Sequence, residues 1–92
     1  MAITGFKNKG LKKLWEKGDA RHVGTQYAAK LSRQMTLLNK AVTLDDLKPF
    51  YRFHELTGNL KEFYSWDVSG NYRLIYRFTN GDAYDLDFLD TH

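Results

Sequence analysis

Ninety-two residues with 42% apolar and 15% aromatic side chains are enough for one compact domain, and the absence of cysteine excludes disulfides, thiolate metal sites and cysteine nucleophiles. The net charge of +3 is spread unevenly, because residues 1–40 carry nine basic and two acidic side chains, a balance of +7, whereas residues 41–92 have a balance of −4. A basic half favours a polyanionic partner such as RNA, although the solvated face of an amphipathic helix would have the same composition.

The first forty residues predict a short strand and two helices. Residues 2–6 form the predicted strand, after which Asn8 can cap a first helix that ends at Gly18. Its apolar residues lie on one side, and its lysines lie on the other. A second helix is predicted over 23–40, because apolar residues recur there every three or four positions. They are Tyr27, Ala28, Leu31, Met35 and Leu38.

The pattern changes near the only proline. Thr43 and Asp46 predict a capped short turn, and Pro49 forbids further helix. After Pro49, apolar and polar residues alternate with a period of two, which predicts strands over 52–56, 62–68, 71–79 and 82–90. The pair Asn80-Gly81 predicts a tight hairpin between the last two strands, since both residues tolerate positive φ.

These elements predict a single α+β domain over residues 1–92. Tight turns between neighbouring strands imply a mainly antiparallel sheet of four or five strands, with the two helices packed on one face. Along the third of the four strands after Pro49, Tyr72, Leu74 and Tyr76 point to one face. Arg73 and Arg77 point to the other.

Four residues suggest ribonuclease chemistry on this sheet. His54 lies on the first strand after Pro49, Arg73 on the third, and Asp90 and His92 at the end of the chain. Cleavage of RNA without a metal needs a base for the ribose 2′-hydroxyl, a cation for the charge on the phosphate, and an acid for the leaving oxygen. Two histidines and one arginine meet that need, but the sequence does not decide which histidine is the base.

Each of these residues also has a plainer interpretation. Arg73 is equally suited to a cross-strand ion pair with Asp85 or Asp87, and His92 is equally suited to be an ordinary chain end. His22 is expected to be a loop residue without a functional role. Because His54, Asp90 and His92 have no metal-ligand spacing, we expect neither a metal nor an organic cofactor.

Four segments of the chain resemble the HigB group of RelE-like toxins, also called plasmid-maintenance killer proteins. They are FKNKGLKKLWEKG (6–18), RFHELTGN (52–59), NYRLIYRF (71–78) and NGDAYDLDFLDTH (80–92). Members of that group open with a phenylalanine, basic residues and a Gly-Leu pair, carry a His-Pro-Leu-Lys-Gly stretch and a Trp-Arg strand, and end in Asp-Tyr-His. The resemblance spans nearly the whole chain and implies the RelE-like fold.

The matched positions carry the family's candidate catalytic residues onto this sequence. The histidine of the His-Pro-Leu-Lys-Gly stretch corresponds to His54, the strand arginine to Arg73, and the terminal Asp-x-His to Asp90 and His92. Three positions depart from the pattern. Thr57 and Leu60 stand where the family has basic residues, and Thr91 stands for the terminal tyrosine. Lys61 is near enough in sequence to replace one of the missing cations.

The resemblance implies a toxin of a type II toxin-antitoxin system that cleaves messenger RNA on the ribosome, leaving a 2′,3′-cyclic phosphate. It also implies a cognate helix-turn-helix antitoxin similar to HigA, with the toxin existing as a monomer or in a hetero-oligomer with that antitoxin. No apolar segment predicts a signal peptide or membrane span, so we expect a cytoplasmic protein. The residues expected to bind RNA or the ribosome are Lys7, Lys9, Lys12, Lys13, Lys17, Lys61 and Tyr64.

One alternative of a different class stays open. The same fold could serve a non-catalytic or redirected protein, such as a gyrase-directed ParE-like toxin or a protein that only binds its antitoxin. Thr57, Leu60 and Thr91 favour that reading. His54 and His92 argue against it, because a protein that only binds has no need of two histidines at these places.

Overall fold

The computed structural model describes residues 2–91, so the candidate catalytic residue His92 lies outside the described part of the chain. Two α-helices and five strands form the α+β fold that the sequence predicts. In chain order they are β1 (Ala2–Ile3), α1 (Lys9–Lys17), α2 (Thr25–Lys40), β2 (His54–Glu55), β3 (Tyr64–Asp67), β4 (Tyr72–Thr79) and β5 (Asp82–Asp90), with 3₁₀ turns at Leu44–Asp46 and Gly58–Leu60.

The strands form one mixed sheet in the order β1-β5-β4-β3-β2. Strand β1 runs parallel to β5, and the other neighbouring pairs are antiparallel. The β4–β5 hairpin turns at Asn80 and Gly81, which have φ of 53° and 85°, as predicted for a turn that needs two left-handed residues. In this order β5 lies inside the sheet, and the two-residue strands β1 and β2 form its two edges.

Local signals fix the ends of the helices. Asn8 accepts a hydrogen bond from the backbone N–H of Leu11 at 3.0 Å, and Gly18 ends α1 in the left-handed conformation, both as predicted. Helix α2 begins at Thr25 rather than at residue 23. The reason is Gly24, whose φ of 91° is incompatible with a helix.

The core lies between the helices and one face of the sheet. Leu74 and Tyr76 of β4 and Trp66 of β3 are fully buried there, against Leu31, Met35 and Leu38 of α2. The predicted alternation along β4 is thus confirmed. No helix in residues 2–91 is both long and apolar enough to cross a membrane.

Strands β1 and β2 are shorter than the sequence predicts. Of the predicted strand at 2–6, only Ala2 and Ile3 pair continuously with β5, while Phe6 makes one isolated bridge to Leu86. Strand β2 starts at His54 because Tyr51 and Arg52, just before it, have φ of 49° and 54° and interrupt the extended backbone.

Candidate active site

His54 and Arg73 lie on the face of the sheet opposite to the helices, which is called the open face below although Ser65 and Ile75, between the two residues, are themselves buried. His54 is directly opposite Ser65 of β3, and Ser65 is opposite Ile75 of β4. Because side chains alternate along a strand, Arg73 shares the face of Ile75 and therefore that of His54. The two residues are two strands and two positions apart, roughly 12 Å between Cα atoms at ordinary sheet spacings. His54 is exposed.

Arg73 is paired with Asp67, directly across from it on β3. The Nε atom of Arg73 is 3.7 Å from Oδ1 of Asp67. The sequence had left Asp85 and Asp87 as possible partners of this arginine, and neither is its partner. Asp85 lies at a bulge in β5 with φ of 54° and pairs with Arg77 at 3.4 Å. The Asp87 carboxylate accepts from the backbone N–H of Phe88.

A second arginine meets the same carboxylate. The Nε atom of Arg52 is 3.5 Å from Oδ2 of Asp67, and the Arg52 side chain is 80% exposed. Arg52 lies in the turn before β2, and this turn is held beside Asp67 by the hydrogen bond from the Asp67 N–H to the Tyr51 carbonyl. Arg52 and Arg73 therefore meet at one acidic residue.

The backbone of Asp67 is held on both sides. Its N–H donates to the carbonyl of Tyr51 at 2.9 Å, and its carbonyl accepts from Nε2 of Gln34 at 2.9 Å. Gln34 comes from α2 and is fully buried. Asp67 thus connects the helix layer to the two arginines.

Asp90 lies on the other side of the sheet from this cluster. It is directly opposite Tyr72, whose ring centroid is 5.0 Å from that of Tyr27 in α2. The register therefore does not bring Asp90 together with His54 and Arg73. The next residue, Thr91, is fixed to β4, because its N–H and its hydroxyl both donate to the carbonyl of Asn71, at 2.8 and 3.1 Å.

A groove of about 390 Å³ opens at the β2 edge of the sheet, and its lining begins at Glu55, the residue after His54. Glu55 and Tyr64 are paired across β2 and β3, on the face of the sheet opposite to that of His54. Thr57 and Lys61 line the groove together with Glu55 and Tyr64. Lys61 thus lies in the same groove as Thr57, which stands where the family has a basic residue. This placement is consistent with the prediction that Lys61 replaces one of the missing cations. Tyr64 is half-buried, with its ring stacked on Phe53 at a centroid distance of 5.4 Å, so part of its surface is used in packing.

The predicted lysines of α1 form a separate surface on the helix layer. Lys9, Lys12, Lys13 and Lys17 are exposed and line a shallow groove together with Glu16. Lys7 differs from them, because its Nζ lies 5.6 Å from the ring centroid of Phe63. The guanidinium of Arg77 lies 4.6 Å from the same ring.

Tyr76 has a hydroxyl near the middle of the sheet but is not suited to acid-base chemistry. Its side chain is fully buried, and the hydroxyl has no hydrogen-bond partner among residues 2–91. Burial raises the pKa of Tyr76 far above its usual range, because a buried phenolate would lose its hydration. Within the described residues, no three His, Cys, Asp or Glu side chains lie close enough to hold a metal ion.

Sequence reasoning missed Arg52, Asp67 and Gln34. Arg52 was within the quoted RFHELTGN segment, and its position two residues before His54 was the available signal. Asp67 gains its role from the β3–β4 register, and Gln34 from the packing of α2 on the sheet. Neither the register nor the packing follows from periodicity alone.

Comparison with known proteins agrees with this architecture. The crystal structure of YafQ from E. coli strain BL21(DE3) is similar to this chain with a TM-score of 0.63, covering 98% of this chain and 93% of that one. Its sequence identity is 20%, so the likeness concerns the fold alone.

Two relatives are similar in sequence over nearly their whole length. The endoribonuclease HigB of Proteus vulgaris is 35% identical over 91 residues, covering 98% of this chain and 99% of that protein. The toxin HigB-1 of Vibrio cholerae serotype O1 is 36% identical over 91 residues, covering 95% and 94%. The family model for the RelE-like toxin HigB of type II toxin-antitoxin systems matches residues 4–92. The chain therefore belongs to the HigB-like family of RelE-like toxins, whose type II systems pair each toxin with an antitoxin.

Proposed function

We propose that this toxin is an endoribonuclease that cleaves messenger RNA on the ribosome and so inhibits translation. The observation that carries the proposal is the placement of His54 and Arg73 on one open face of the sheet, in a chain 35% identical to an endoribonuclease. An exposed imidazole and a guanidinium on a common face are the groups that a phosphodiester cleavage requires.

The proposed reaction is attack of the ribose 2′-hydroxyl on the adjacent phosphorus. One histidine of the pair His54 and His92 removes the proton of the 2′-hydroxyl, and the other protonates the 5′-oxygen that leaves. The new bond joins the 2′-oxygen to phosphorus as the bond to the 5′-oxygen breaks, which yields a 2′,3′-cyclic phosphate and a 5′-hydroxyl without a metal ion. Arg73 holds the phosphate and stabilises its developing charge. Asp90, which the register separates from the phosphate at Arg73, is proposed to orient His92.

The remaining basic residues have a docking role in this proposal. Lys61 and Tyr64 line the groove at the β2 edge, where they contact the RNA strand as it passes from the face of His54 to the edge of the sheet. The lysines of α1, with Lys7, bind ribosomal RNA phosphates, a contact that needs charge but no reading of sequence. The antitoxin is proposed to be a helix-turn-helix protein similar to HigA, and the site of action is the cytoplasm.

Loss of His54 or Arg73 tests the catalytic proposal. We expect induction of the wild-type chain to arrest growth, and His54→Ala and Arg73→Ala to lower single-turnover cleavage on programmed ribosomes by roughly 100-fold or more, as loss of an acid-base group or a charge-stabilising donor does elsewhere. Cleavage sites on mRNA and the 2′,3′-cyclic ends are read directly from the products.

His22→Ala is the matched control, since His22 is exposed and its one ion-pair contact among residues 2–91 is with Asp19, at 3.9 Å. It should leave the rate unchanged. A wild-type chain that binds its antitoxin but cleaves no mRNA would contradict the proposal and favour a non-catalytic member of the fold.

A further inference from the structure

We propose that Arg52 and Arg73 together bind neighbouring phosphates of the RNA strand, and that Asp67 is the positioning residue that holds both. These three residues are called the arginine clamp below. The inference rests on the proposed function and adds to it a second phosphate-binding arginine and the carboxylate that sets the two arginines. It depends on four observations about the described residues.

The first observation is how the arginines meet Asp67. Each one approaches a different carboxylate oxygen through its Nε, at 3.5 Å for Arg52 and 3.7 Å for Arg73. A guanidinium carries five donors in a planar fork, so a contact through Nε leaves the edge formed by the two terminal nitrogens available for another anion. Phosphate oxygens fit that edge in a bidentate manner.

The second observation is the charge of the cluster. Two guanidinium groups share one carboxylate, which leaves a net charge of +1, and neither arginine has another ion pair within residues 2–91. The Oδ1 atom of Asp67 is buried without a hydrogen bond. The Asp67 carboxylate keeps two like charges near each other, and the phosphates that bind the two guanidinium groups neutralise the excess positive charge.

The third observation is the strained backbone that carries Arg52. Tyr51 and Arg52 are consecutive non-glycine residues with φ of 49° and 54°, a conformation that L side chains disfavour. The segment is held by the hydrogen bond from Asp67 to the Tyr51 carbonyl and by the Tyr51 ring, 5.2 Å from that of Trp66. Strain of this kind that places an exposed arginine indicates a functional position.

The fourth observation is the relation of the clamp to His54. Arg52 is two residues before His54 on the same edge, and Arg73 is directly across from Asp67. His54 and Arg73 share one face of the sheet, and the turn that carries Arg52 directly precedes the strand of His54. The clamp is therefore adjacent to the proposed site of cleavage.

Single-turnover cleavage and binding on programmed ribosomes test the clamp. Arg52→Ala should lower the cleavage rate roughly tenfold, as loss of one charge-assisted contact does, and Arg52→Lys should recover only part of it, because lysine lacks the fork. Arg33→Ala is the matched control, an exposed arginine of α2 with no ion pair among residues 2–91, and should change nothing.

Asp67→Asn distinguishes two roles of the clamp, namely holding the two guanidinium groups in place and attracting RNA by positive charge. Removing the carboxylate raises the positive charge of the face, so ribosome affinity should stay equal or increase, while the cleavage rate falls roughly tenfold because the two guanidinium groups are no longer fixed. A purely electrostatic role predicts a rate that follows affinity. A variant that merely unfolds shows a lowered Tm together with loss of antitoxin binding.

The possible outcomes are separable from those of the proposed function. If the wild type cleaves mRNA but Arg52→Ala matches Arg33→Ala, the clamp is wrong and the nuclease assignment stands. If Arg52→Lys restores the full rate, Arg52 supplies only charge, and bidentate binding is overturned. If no form cleaves mRNA, the proposed function itself fails, and the clamp fails with it.

Discussion

Single residues in this toxin join the helix layer to the open face of the sheet. Gln34 lies in the middle of α2, within a stripe of apolar core residues, and periodicity would assign its position to an apolar side chain. It is polar because the buried carbonyl of Asp67 needs a donor there, and its Nε2 supplies one at 2.9 Å. This is the kind of local exception that marks a functional neighbourhood.

Replacing Gln34 by an apolar residue of similar size tests this role. We expect Gln34→Met to lower the free energy of unfolding by about 1 kcal/mol, because the loss of the donor to the Asp67 carbonyl is partly offset by removal of the Gln34 Oε1, which is buried without a hydrogen bond. Urea titration followed by tryptophan fluorescence measures the change. Gln26→Met, at an exposed position of the same helix, is the control, and equal stabilities for the two variants would remove the role given to Gln34.

The elements show which parts of the fold were predictable and why. Strands β4 and β5 and their hairpin were predicted nearly to the residue, because long alternation and an Asn-Gly turn are local signals. The short strands β1 and β2 were predicted too long, since their ends depend on what pairs with them and on positive φ at Tyr51 and Arg52, which no residue type there announces.

The candidate site was predictable to the same limited degree. Alternation along β4 correctly gave the face of Arg73. Its partner was not given, because that depends on register between strands, and a shift of one or two residues changes which carboxylate is opposite. The register also separates Asp90 from His54 and Arg73, which proximity in the motif alone did not reveal.

Helix α1 offers a prediction about docking at the scale of an element. Reversing Lys12, Lys13 and Lys17 to Glu should weaken ribosome binding and flatten its dependence on salt, since fewer counterions are released from RNA. Affinity measured from low to high salt gives the slope. The triple reversal Arg33→Glu, Lys40→Glu and Lys48→Glu makes the same change of net charge elsewhere. Equal weakening by both would show that only net charge matters and that α1 has no specific docking role.

The molecule as a whole is a sheet with helices on one side, and each of its two sides carries its own group of basic residues. The exposed lysines of α1 belong to the helix layer, and the arginines at Asp67 belong to the open face. Contacts to ribosomal RNA and to the cleaved strand would therefore be made from different sides of the same domain. A small protein arranged in this way can be bound between two RNA surfaces.

Two carboxylates with lowered pKa values make the stability of the fold depend on pH in the acid range. Backbone N–H groups of Thr43 and Val42 lower the pKa of Asp46, and the Arg21 side chain lowers the pKa of Asp19. Because these groups bind protons less readily when folded than when unfolded, their stabilising contribution is complete above about pH 5 and is lost as the pH falls below about 4.

We therefore expect the contribution of these two carboxylates to the free energy of unfolding to be constant from pH 7 to 5 and to decrease below pH 4. Asp46→Asn should reduce stability at pH 7 and make the acid decrease shallower, because the residue that titrates has been removed. Urea titrations at pH 7 and pH 3 measure both. The control is Asp45→Asn, whose carboxylate pairs only with the exposed Lys48 at 3.2 Å; an identical pH profile for both variants would contradict the assignment.

The position of β5 between β1 and β4 has a kinetic consequence. Its neighbours β4 and β1 come from opposite ends of the described chain, and pairing Ala2 with Asp82 closes a loop of about 80 residues, at an entropic cost on the order of 4 kcal/mol. The strand pairs β3–β4 and β4–β5 join segments that are close in sequence, so this meander can form first. Strand β1 can pair only after β5 is in place. During synthesis the sheet is therefore completed only when β5 has emerged, so the nascent toxin stays partly folded while most of its own message is being read.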